Sequence, residues 1–224
     1  MSRALLRAAA KRRVPSGDPH FASVIWLANY ASDASDVKGH AVTLYGGASV
    51  SGGALVLDGN GDYATCANSI DWATGTQAFT VDGFVELTAT PSVVATICET
   101  RATANPSSSG FNIGIDPSLC LRLFDGPATA FKTSSNTIQL NTKTAFRITF
   151  DGSFVRINLD GTVTTLTASS TNFGTSPASW LVGTNRAGVG EGLYDWSGKI
   201  YALRFTKGVA RDINEALVDP FPEA

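Results

Sequence analysis

The sequence predicts an all-β protein, an antiparallel β-sandwich of the jelly-roll type with a short basic helical arm at its N-terminus. Apolar and polar residues alternate with period two along much of the chain after position 24, as expected of half-buried strands. Turn-forming pairs such as Asp151-Gly152 and Asp160-Gly161 separate these runs, and no helical periodicity lies between them. The composition agrees, because the 224 residues include 22 Gly and 9 Pro but one Met.

The N-terminal arm, residues 1–17, is predicted to contain a short helix over 2–13. Ser2 is a possible N-cap, Ala, Leu and Arg are good helix formers, and Pro15 ends the pattern. A helix of about twelve residues is marginal in water, so its order would require a partner surface. The alternative is a frayed, solvated terminus.

The clearest strands lie in 144–167. Phe146, Ile148 and Phe150 alternate with polar or small neighbours, and the two Asp-Gly turns then divide the segment into a three-stranded meander. The remaining predicted strands are 24–30, 54–57, 63–66, 78–87, 93–99, 111–115, 119–124, 180–183 and 199–206. About a dozen short strands fit within one antiparallel domain.

The charge is distributed unevenly. The chain has 17 Lys and Arg against 19 Asp and Glu, but five cations and no anion lie in the first 13 residues, which leaves the rest at −7. An acidic body disfavours nucleic acid as a partner. The arm, with an apolar stripe beside its cations, is instead predicted to dock into a neighbouring protein subunit. Its candidate partner-binding residues are Arg3, Leu5, Leu6, Arg7, Lys11, Arg12 and Arg13.

The cysteines and the apolar runs indicate the cellular compartment of the protein. Cys66, Cys98 and Cys120 form an odd set without CxxC spacing, which favours buried free thiols and a reducing cytoplasm. Arg7 interrupts the only apolar stretch near the N-terminus, so no secretory signal is predicted. Every apolar run is too short for a membrane-spanning helix.

Three segments resemble the laminin-G-like jelly rolls of the concanavalin A-like lectin and glucanase superfamily, especially those of tailed-bacteriophage virion proteins. Residues 18–27 (DPHFASVIWL) look like the family's first strand, and 57–63 (LDGNGDY) look like its F-D-G-x-G-D-Y turn. Residues 198–211 (GKIYALRFTKGVAR) are similar to the phage-type ending, a strand followed by a T-K-G-V-A-R turn. The resemblance spans 18–212 and implies a sandwich domain there, with 213–224 as a C-terminal tail.

The 57–63 turn has a structural and a metal interpretation. Its Asp-Gly and Asn-Gly pairs tolerate positive φ and would let the chain reverse between Leu57 and Tyr63. Calcium held by Asp58 and Asp62 is the alternative, but such a site needs five or more converging oxygens. No cofactor is therefore predicted, with calcium left open.

Hydrolysis is disfavoured by the spacing of the carboxylates. Glycosidases need two carboxyl groups about 5 to 9.5 Å apart. Asp82 and Glu86 share a strand face, but positions i and i+4 of a strand lie about 13 Å apart. Phe84 occupies the middle position, where the superfamily's glucanase motif would place another carboxylate. Both carboxylates are therefore interpreted as solvated surface groups.

A carbohydrate-binding site needs fewer specific residues than a glycosidase active site, because an exposed aromatic platform and a few hydrogen-bonding side chains suffice. Trp26 and Trp180 lie in apolar strand patterns and are assigned to the core. The candidate sugar-binding residues are Tyr45, Trp72, Tyr194 and Trp196, of which Trp196 also has a core interpretation.

The resulting functional expectation is a noncatalytic bacteriophage virion protein. It would be a multi-copy capsid-decoration or tail module, made in the host cytoplasm and attached through its arm to other virion proteins. The alternative is a carbohydrate-binding adhesin that recognises host surface glycans through its loops, and an endoglycosidase is a third, weaker hypothesis.

Overall fold

The computed structural model describes residues 17–101, 103, 109–125, 130–175, 178–186 and 192–223. The predicted helix of the arm and its seven candidate partner-binding residues lie outside these ranges. The described residues form two antiparallel sheets stacked as a sandwich, so the all-β prediction is confirmed. No helix among them is long and apolar enough to cross a membrane.

Fifteen strands make up the two sheets of the described chain. They are β1 (Val24–Ala28), β2 (Val42–Tyr45), β3 (Ser49–Ser51), β4 (Ala54–Asp58), β5 (Tyr63–Ser69), β6 (Phe79–Leu87), β7 (Ala95–Glu99), β8 (Phe111–Ile115), β9 (Cys120–Asp125), β10 (Ala130–Thr137), β11 (Thr144–Phe150), β12 (Phe154–Leu159), β13 (Thr162–Thr167), β14 (Ala178–Val182) and β15 (Ser197–Lys207). Two 3₁₀ turns, Phe21–Ser23 and Ile70–Trp72, precede β1 and follow β5.

The first sheet has the strand order β13-β12-β11-β6-β15-β4-β3, with β1 also paired to β15. The second has the order β10-β9-β8-β7-β14-β5-β2. Strands distant in sequence are neighbours in both sheets, as in jelly rolls, where the chain passes repeatedly between the two layers.

The core fills the space between the sheets because each strand turns its apolar alternate residues inward. On β6 these are Phe79, Val81, Val85 and Leu87. All four tryptophans are at most 1% exposed, which confirms the core assignment of Trp26 and Trp180. The rings of Trp26, Trp72 and Trp180 pack on one another, with Trp26 6.0 Å from Trp180 between centroids.

The meander predicted over 144–167 is present as β11, β12 and β13. Asp160 and Gly161 both have positive φ, 48° and 86°, which suits a two-residue hairpin turn between β12 and β13. Phe146, Ile148 and Phe150 face the core, as the period-two pattern indicates.

Three strands were not predicted: β2, β3 and β10. Strands β2 and β3 have four and three residues and each lies at a sheet edge. Strand β10 has the polar sequence AFKTSSNT and ends the second sheet at its other edge. Edge strands bury less apolar surface, so their sequences carry a weaker alternation.

A network of buried ion pairs, which we call the first-sheet clamp, lies on the outer face of the first sheet. It comprises Asp18, Asp82, Arg147, Arg204 and Arg211, all of which are buried. Arg204 donates to Asp82 at 2.9 and 2.7 Å and to Asp18 at 2.9 Å. Arg211 forms a bidentate pair with Asp18 at 2.9 and 2.7 Å. The clamp therefore joins the segment before β1 to the segment after β15.

The C-terminal residues 208–223 cover this outer face. Arg147 donates to Asp82 at 2.9 Å and also to the backbone oxygen of Asp212. Phe221, 2% exposed, packs on Phe84 with ring centroids 5.7 Å apart. The prediction that Asp82 is a solvated surface group is therefore wrong, because the C-terminal segment buries it among arginines.

The cysteines are all free thiols, as predicted. Cys66 and Cys98 are buried, whereas Cys120 is partly exposed. Burial raises the pKa of the Cys66 thiol to about 12, so this side chain stays protonated and unreactive near neutral pH.

His40 links the segment before β2 to the second 3₁₀ turn. Its Nδ1 lies 2.6 Å from Asp36 and its Nε2 lies 3.0 Å from Asp71, which also accepts a hydrogen bond from Ser69. Partial burial lowers the pKa of His40, but the bonds to Asp71 and Asp36 outweigh burial and raise it overall. Folding therefore favours the protonated form of His40 relative to the unfolded chain.

Removal of Arg204 from the clamp should be strongly destabilising. Arg204→Met leaves Asp18 and Asp82 buried with fewer partners, and breaking a buried pair on one side costs about 3 to 5 kcal/mol. Arg156→Met is the matched control, because its partner Asp151 lies at the surface and such pairs contribute about 0 to 1 kcal/mol. Urea unfolding measures both, and equal losses for the two variants would contradict the role of the clamp.

His40 should also make stability depend on pH. Its folded pKa lies above the ordinary value of 6.5, so its stabilisation is fully present below that pH and is lost as pH rises through the folded pKa. The free energy of unfolding lost in His40→Gln should therefore be larger at about pH 5.5 than at about pH 8.5. Urea titrations of both proteins at the two pH values measure this, and a loss that grows with pH would refute it.

Candidate functional site

The four aromatic residues predicted to bind sugar differ in exposure, because two are buried and two are at least partly exposed. Trp72 and Trp196 are 1% and 0% exposed and belong to the core. Neither can offer a ring to a ligand, so their assignment as sugar platforms is corrected. Trp72 is held inside by a hydrogen bond from its indole nitrogen to the backbone oxygen of Ala67 and by contact with His40.

Tyr45 remains accessible. It lies on the edge strand β2, is 45% exposed, and stacks in parallel on Tyr63 of β5 with centroids 4.7 Å apart. The pair lies on the outer face of the second sheet, because the neighbouring residue Ala64 points into the core. Partial burial and the Tyr45 side chain raise the pKa of Tyr63.

Tyr194 is partly exposed and lies in the segment that leads into β15. Its backbone oxygen accepts a hydrogen bond of 3.0 Å from the amide of Thr96 on β7. This bond places the 194 segment beside the middle strands of the second sheet. Tyr194 therefore lies next to the second sheet, in the loop that precedes β15.

The turn at 57–63 has the structural role predicted for it. Gly59 and Gly61 both have φ of 83°, and a Cβ on Gly59 would lie 2.8 Å from that of Ser197. The carboxylate of Asp62 accepts hydrogen bonds from the amides of Gly47 and Asp58. Within the described chain, no group of three or more His, Cys, Asp and Glu side chains is arranged to hold a metal ion.

Asp82 and Glu86 do share the outer face of β6, but ion pairs occupy both. Asp82 belongs to the first-sheet clamp. Glu86 accepts hydrogen bonds from Lys199 at 2.9 Å and Tyr201 at 2.6 Å, and these two bonds lower its pKa against a smaller effect of burial. Neither carboxylate is poised to donate a proton to a glycosidic oxygen.

The outer face of the second sheet carries a different set of polar residues. Cross-strand pairing aligns Phe131 of β10 with Phe124, Phe124 with Asn112, Asn112 with Glu99, and Glu99 with Leu181 of β14. This row crosses five strands, a distance of about 19 Å. The adjacent residues on these strands, such as Ile113 and Leu123, point into the core.

Glu99 lies in the row between Asn112 and Leu181 and is 0% exposed. Its carboxylate accepts hydrogen bonds from Arg101 at 2.9 Å, from Asn112 at 3.0 Å and from the backbone amide of Arg186 at 2.8 Å. Burial raises the pKa of Glu99, and the Arg101 guanidinium, the Arg186 amide and Asn112 oppose that rise. The carboxylate thereby fixes the side chains of Arg101 and Asn112.

Two arginines stack on the aromatic side chains of the row. The Arg122 guanidinium lies 4.4 Å from the ring centroid of Phe131, and that of Arg101 lies 5.3 Å from the ring of Phe124. Phe131 is 52% exposed, so part of its ring remains open to solvent. We refer to Glu99, Arg101, Asn112, Arg122, Phe124, Phe131 and Arg186 together as the arginine face.

Polar atoms of the arginine face lack partners although they are buried. The Nε atoms of Arg101, Arg122 and Arg186 and the Oδ1 atom of Asn112 have no hydrogen-bond partner in the structure. Buried polar atoms normally find partners, because leaving one unpaired costs about 1 to 3 kcal/mol. Each of these atoms therefore has hydrogen-bonding capacity that no protein atom uses.

Sequence reasoning placed Glu99 and Arg122 inside predicted strands but did not single them out as a site. The available signal was a charged residue inside an otherwise apolar strand, as in ATICE and CLRLFD. A buried charged residue of this kind requires hydrogen-bonding partners. The partners of Glu99 are Asn112 on β8, Arg101 after β7 and the backbone amide of Arg186 after β14.

The comparisons with known proteins indicate a fold rather than a family. No protein-family model and no curated protein matches the sequence. Solved structures that share the fold include domain 4 of AbnA, a GH43 extracellular arabinanase from Geobacillus stearothermophilus, in complex with arabinotriose. That likeness has a TM-score of 0.61 at 15% identity and covers 84% of this chain and 94% of that domain.

Two further solved structures come from sialidases. Trypanosoma rangeli sialidase in complex with sialic acid matches with a TM-score of 0.63 at 13% identity over 87% of this chain, which spans 32% of the sialidase. The CBM40 of Ruminococcus gnavus IT-sialidase, bound to α2,3 sialyllactose, matches with a TM-score of 0.53 at 12% identity, covering 63% of this chain and 81% of that one. These likenesses establish a β-sandwich fold of the kind found in carbohydrate-binding modules and glycosidase domains.

Proposed function

We propose that this protein is a noncatalytic carbohydrate-binding module whose binding site is the arginine face. The observation that carries the proposal is the row of buried, unpartnered polar atoms on Arg101, Arg122, Arg186 and Asn112, in which Arg122 lies against the exposed ring of Phe131. Sugar sites combine an aromatic surface with convergent hydrogen-bonding groups, and this face supplies both. The likeness to an arabinanase domain with arabinotriose and to a CBM40 with sialyllactose supports it.

Phe131 and Phe124 give the site its apolar component. Their ring centroids are 4.9 Å apart, and Phe124 is 7% exposed whereas Phe131 is 52% exposed. Phe124 therefore supports Phe131 from the buried side. The hydrophobic face of a sugar ring can pack on Phe131 while its hydroxyl groups reach Arg122 and Asn112.

Absence of catalysis is part of the proposal and rests on the carboxylates. Glycoside hydrolysis commonly uses two carboxyl groups on opposite sides of the scissile bond. Among the described residues, the hydrogen-bond network of the arginine face contains one, Glu99, and its oxygens are occupied by Arg101, Asn112 and the Arg186 amide. Asp82 and Glu86 lie on the other sheet.

A role in a phage particle stays a prediction that rests on the sequence resemblance, and no comparison with known proteins bears on it. In the structure, residues that carry the resemblance stabilise the fold. Asp18 of the opening segment pairs with Arg211 of the closing segment. These motifs therefore specify the fold, and a virion module with this fold could carry a glycan site.

Loss of the aromatic surface should weaken glycan binding. In Phe131→Ala the ligand loses its stacking surface, and we expect the affinity for glycans bound by the wild type to fall about tenfold, equivalent to about 1.4 kcal/mol. A glycan array identifies the ligands, and isothermal titration calorimetry measures the affinity.

Phe154→Ala is the matched control, because Phe154 is a similarly exposed phenylalanine, 41% accessible, on the first sheet. It should bind as the wild type does. Tyr45→Ala distinguishes the two edges of the second sheet. An unchanged affinity in Phe131→Ala together with a loss in Tyr45→Ala would move the site to β2, and an array without saturable binding would refute the function.

The noncatalytic part of the proposal predicts that no bound glycan is cleaved. Incubation of the protein with each array ligand should release no new reducing ends, as measured by a colorimetric assay and mass spectrometry of the products. Cleavage that is abolished in Glu99→Gln but retained in Glu86→Gln would show instead that the arginine face is an active site.

A further inference from the structure

The two sheets carry arginine clusters that differ in how completely they are paired. In the first-sheet clamp every guanidinium nitrogen of Arg204 and Arg211 donates to a carboxylate or a hydroxyl group of the protein. On the arginine face, Arg101, Arg122 and Arg186 each keep a buried Nε without a partner. Arginine donors are thus fully paired in the first-sheet clamp, whereas arginines of the arginine face keep donors without partners.

The arginine face also has an excess of positive charge. Its three guanidinium groups accompany one carboxylate, Glu99, which is the only carboxylate that hydrogen-bonds to these arginines among the described residues. Burial lowers the pKa of Arg122; the Asp116 carboxylate opposes this effect, and the Arg101 guanidinium adds to it. Among the described residues, the hydrogen-bond network of the face thus holds three arginines and one carboxylate, in a chain that carries −7 after its first 13 residues.

The arginines are spread along a line across the strands. Arg122 lies on β9 and Arg101 follows β7, two strands away, while Arg186 reaches the backbone of Ser179 on β14. Three strand spacings separate β9 from β14, or about 14 Å. Such a line suits an extended ligand that bears more than one anionic group.

We propose that the saccharide bound at the arginine face is acidic, and that its carboxylates pair with Arg101, Arg122 and Arg186. This inference rests on the proposed function and names the class of glycan. A planar guanidinium matches a carboxylate in geometry and forms stronger hydrogen bonds with it than with a neutral hydroxyl group.

The test compares acidic oligosaccharides with their neutral counterparts. Oligogalacturonate, oligoguluronate, hyaluronan oligosaccharides and sialyllactose are each titrated calorimetrically beside the carboxyl-reduced form of the same molecule. At least one acidic member should bind 10- to 100-fold more tightly than its reduced form, since hydrogen bonds to charged groups contribute more than neutral ones. Its affinity should also fall with rising salt concentration.

Arg122→Met and Arg186→Met should each reduce this preference about tenfold or more, whereas Arg156→Met on the first sheet should keep it. Neither tested side chain hydrogen-bonds a described carboxylate, and thermal unfolding of each variant verifies that it is folded. Circular dichroism at the titration temperature gives a second check.

The outcomes separate the inference from the proposed function. Equal affinity for acidic and reduced forms would overturn the acidic ligand and leave carbohydrate binding intact. Absence of binding to both forms and to the neutral glycan array would overturn both. Tighter binding to a single-stranded oligonucleotide or to a sulfated polysaccharide than to every carboxylated glycan would overturn the carboxylate specificity.

Discussion

The ion pairs between Asp18 and the arginines of the last strand and of the turn after it join the two ends of the domain across the first sheet. Arg204 and Arg211 both contact Asp18, and Arg204 also contacts Asp82 of the central strand β6. Because Asp18 precedes β1 and Arg211 follows β15, one buried cluster joins the two ends of the domain. The C-terminal segment consequently covers the part of the outer face of the first sheet that surrounds Asp82.

The outer faces of the two sheets differ in how completely their polar residues are paired. In the clamp of the first sheet, the guanidinium groups of Arg204 and Arg211 are fully paired with carboxylate and hydroxyl oxygens of the protein. The second sheet keeps unpartnered donors on Arg101, Arg122 and Arg186 and an exposed ring at Phe131. An unpaired buried polar atom lowers stability, so its presence at several neighbouring positions is explained if a ligand supplies the missing partners.

The sequence predicted the strands of the core well because burial on one side imposes a period-two pattern, as in 144–167. It did not predict β10, whose polar residues pair with one neighbour only, and it wrongly assigned Asp82 to solvent. Alternation identifies which residues share a face but does not show whether another segment covers that face. The C-terminal residues that bury Asp82 lie more than 120 positions away in the sequence.

The same limitation affected the site. Trp72 was selected because it lies outside a strand pattern, yet its ring turns into the core beside Trp26 and Trp180. Glu99, Asn112 and Phe124 lie on three different strands and become neighbours through the register of β7, β8 and β9. Local sequence indicates a charge within a strand, whereas the identity of its partners depends on the topology of the sheet.

Nuclear magnetic resonance of the arginine Nε–H groups tests the account most directly. The protein labelled with nitrogen-15 would be titrated with the tightest saccharide found on the array, and single Arg→Lys variants would assign the signals. The account predicts saturable shifts of the signals of Arg101, Arg122 and Arg186, with those of Arg147, Arg204 and Arg211 unchanged. Shifts confined to the arginines of the first sheet, or saturable binding without any change at Arg101, Arg122 and Arg186, would contradict it.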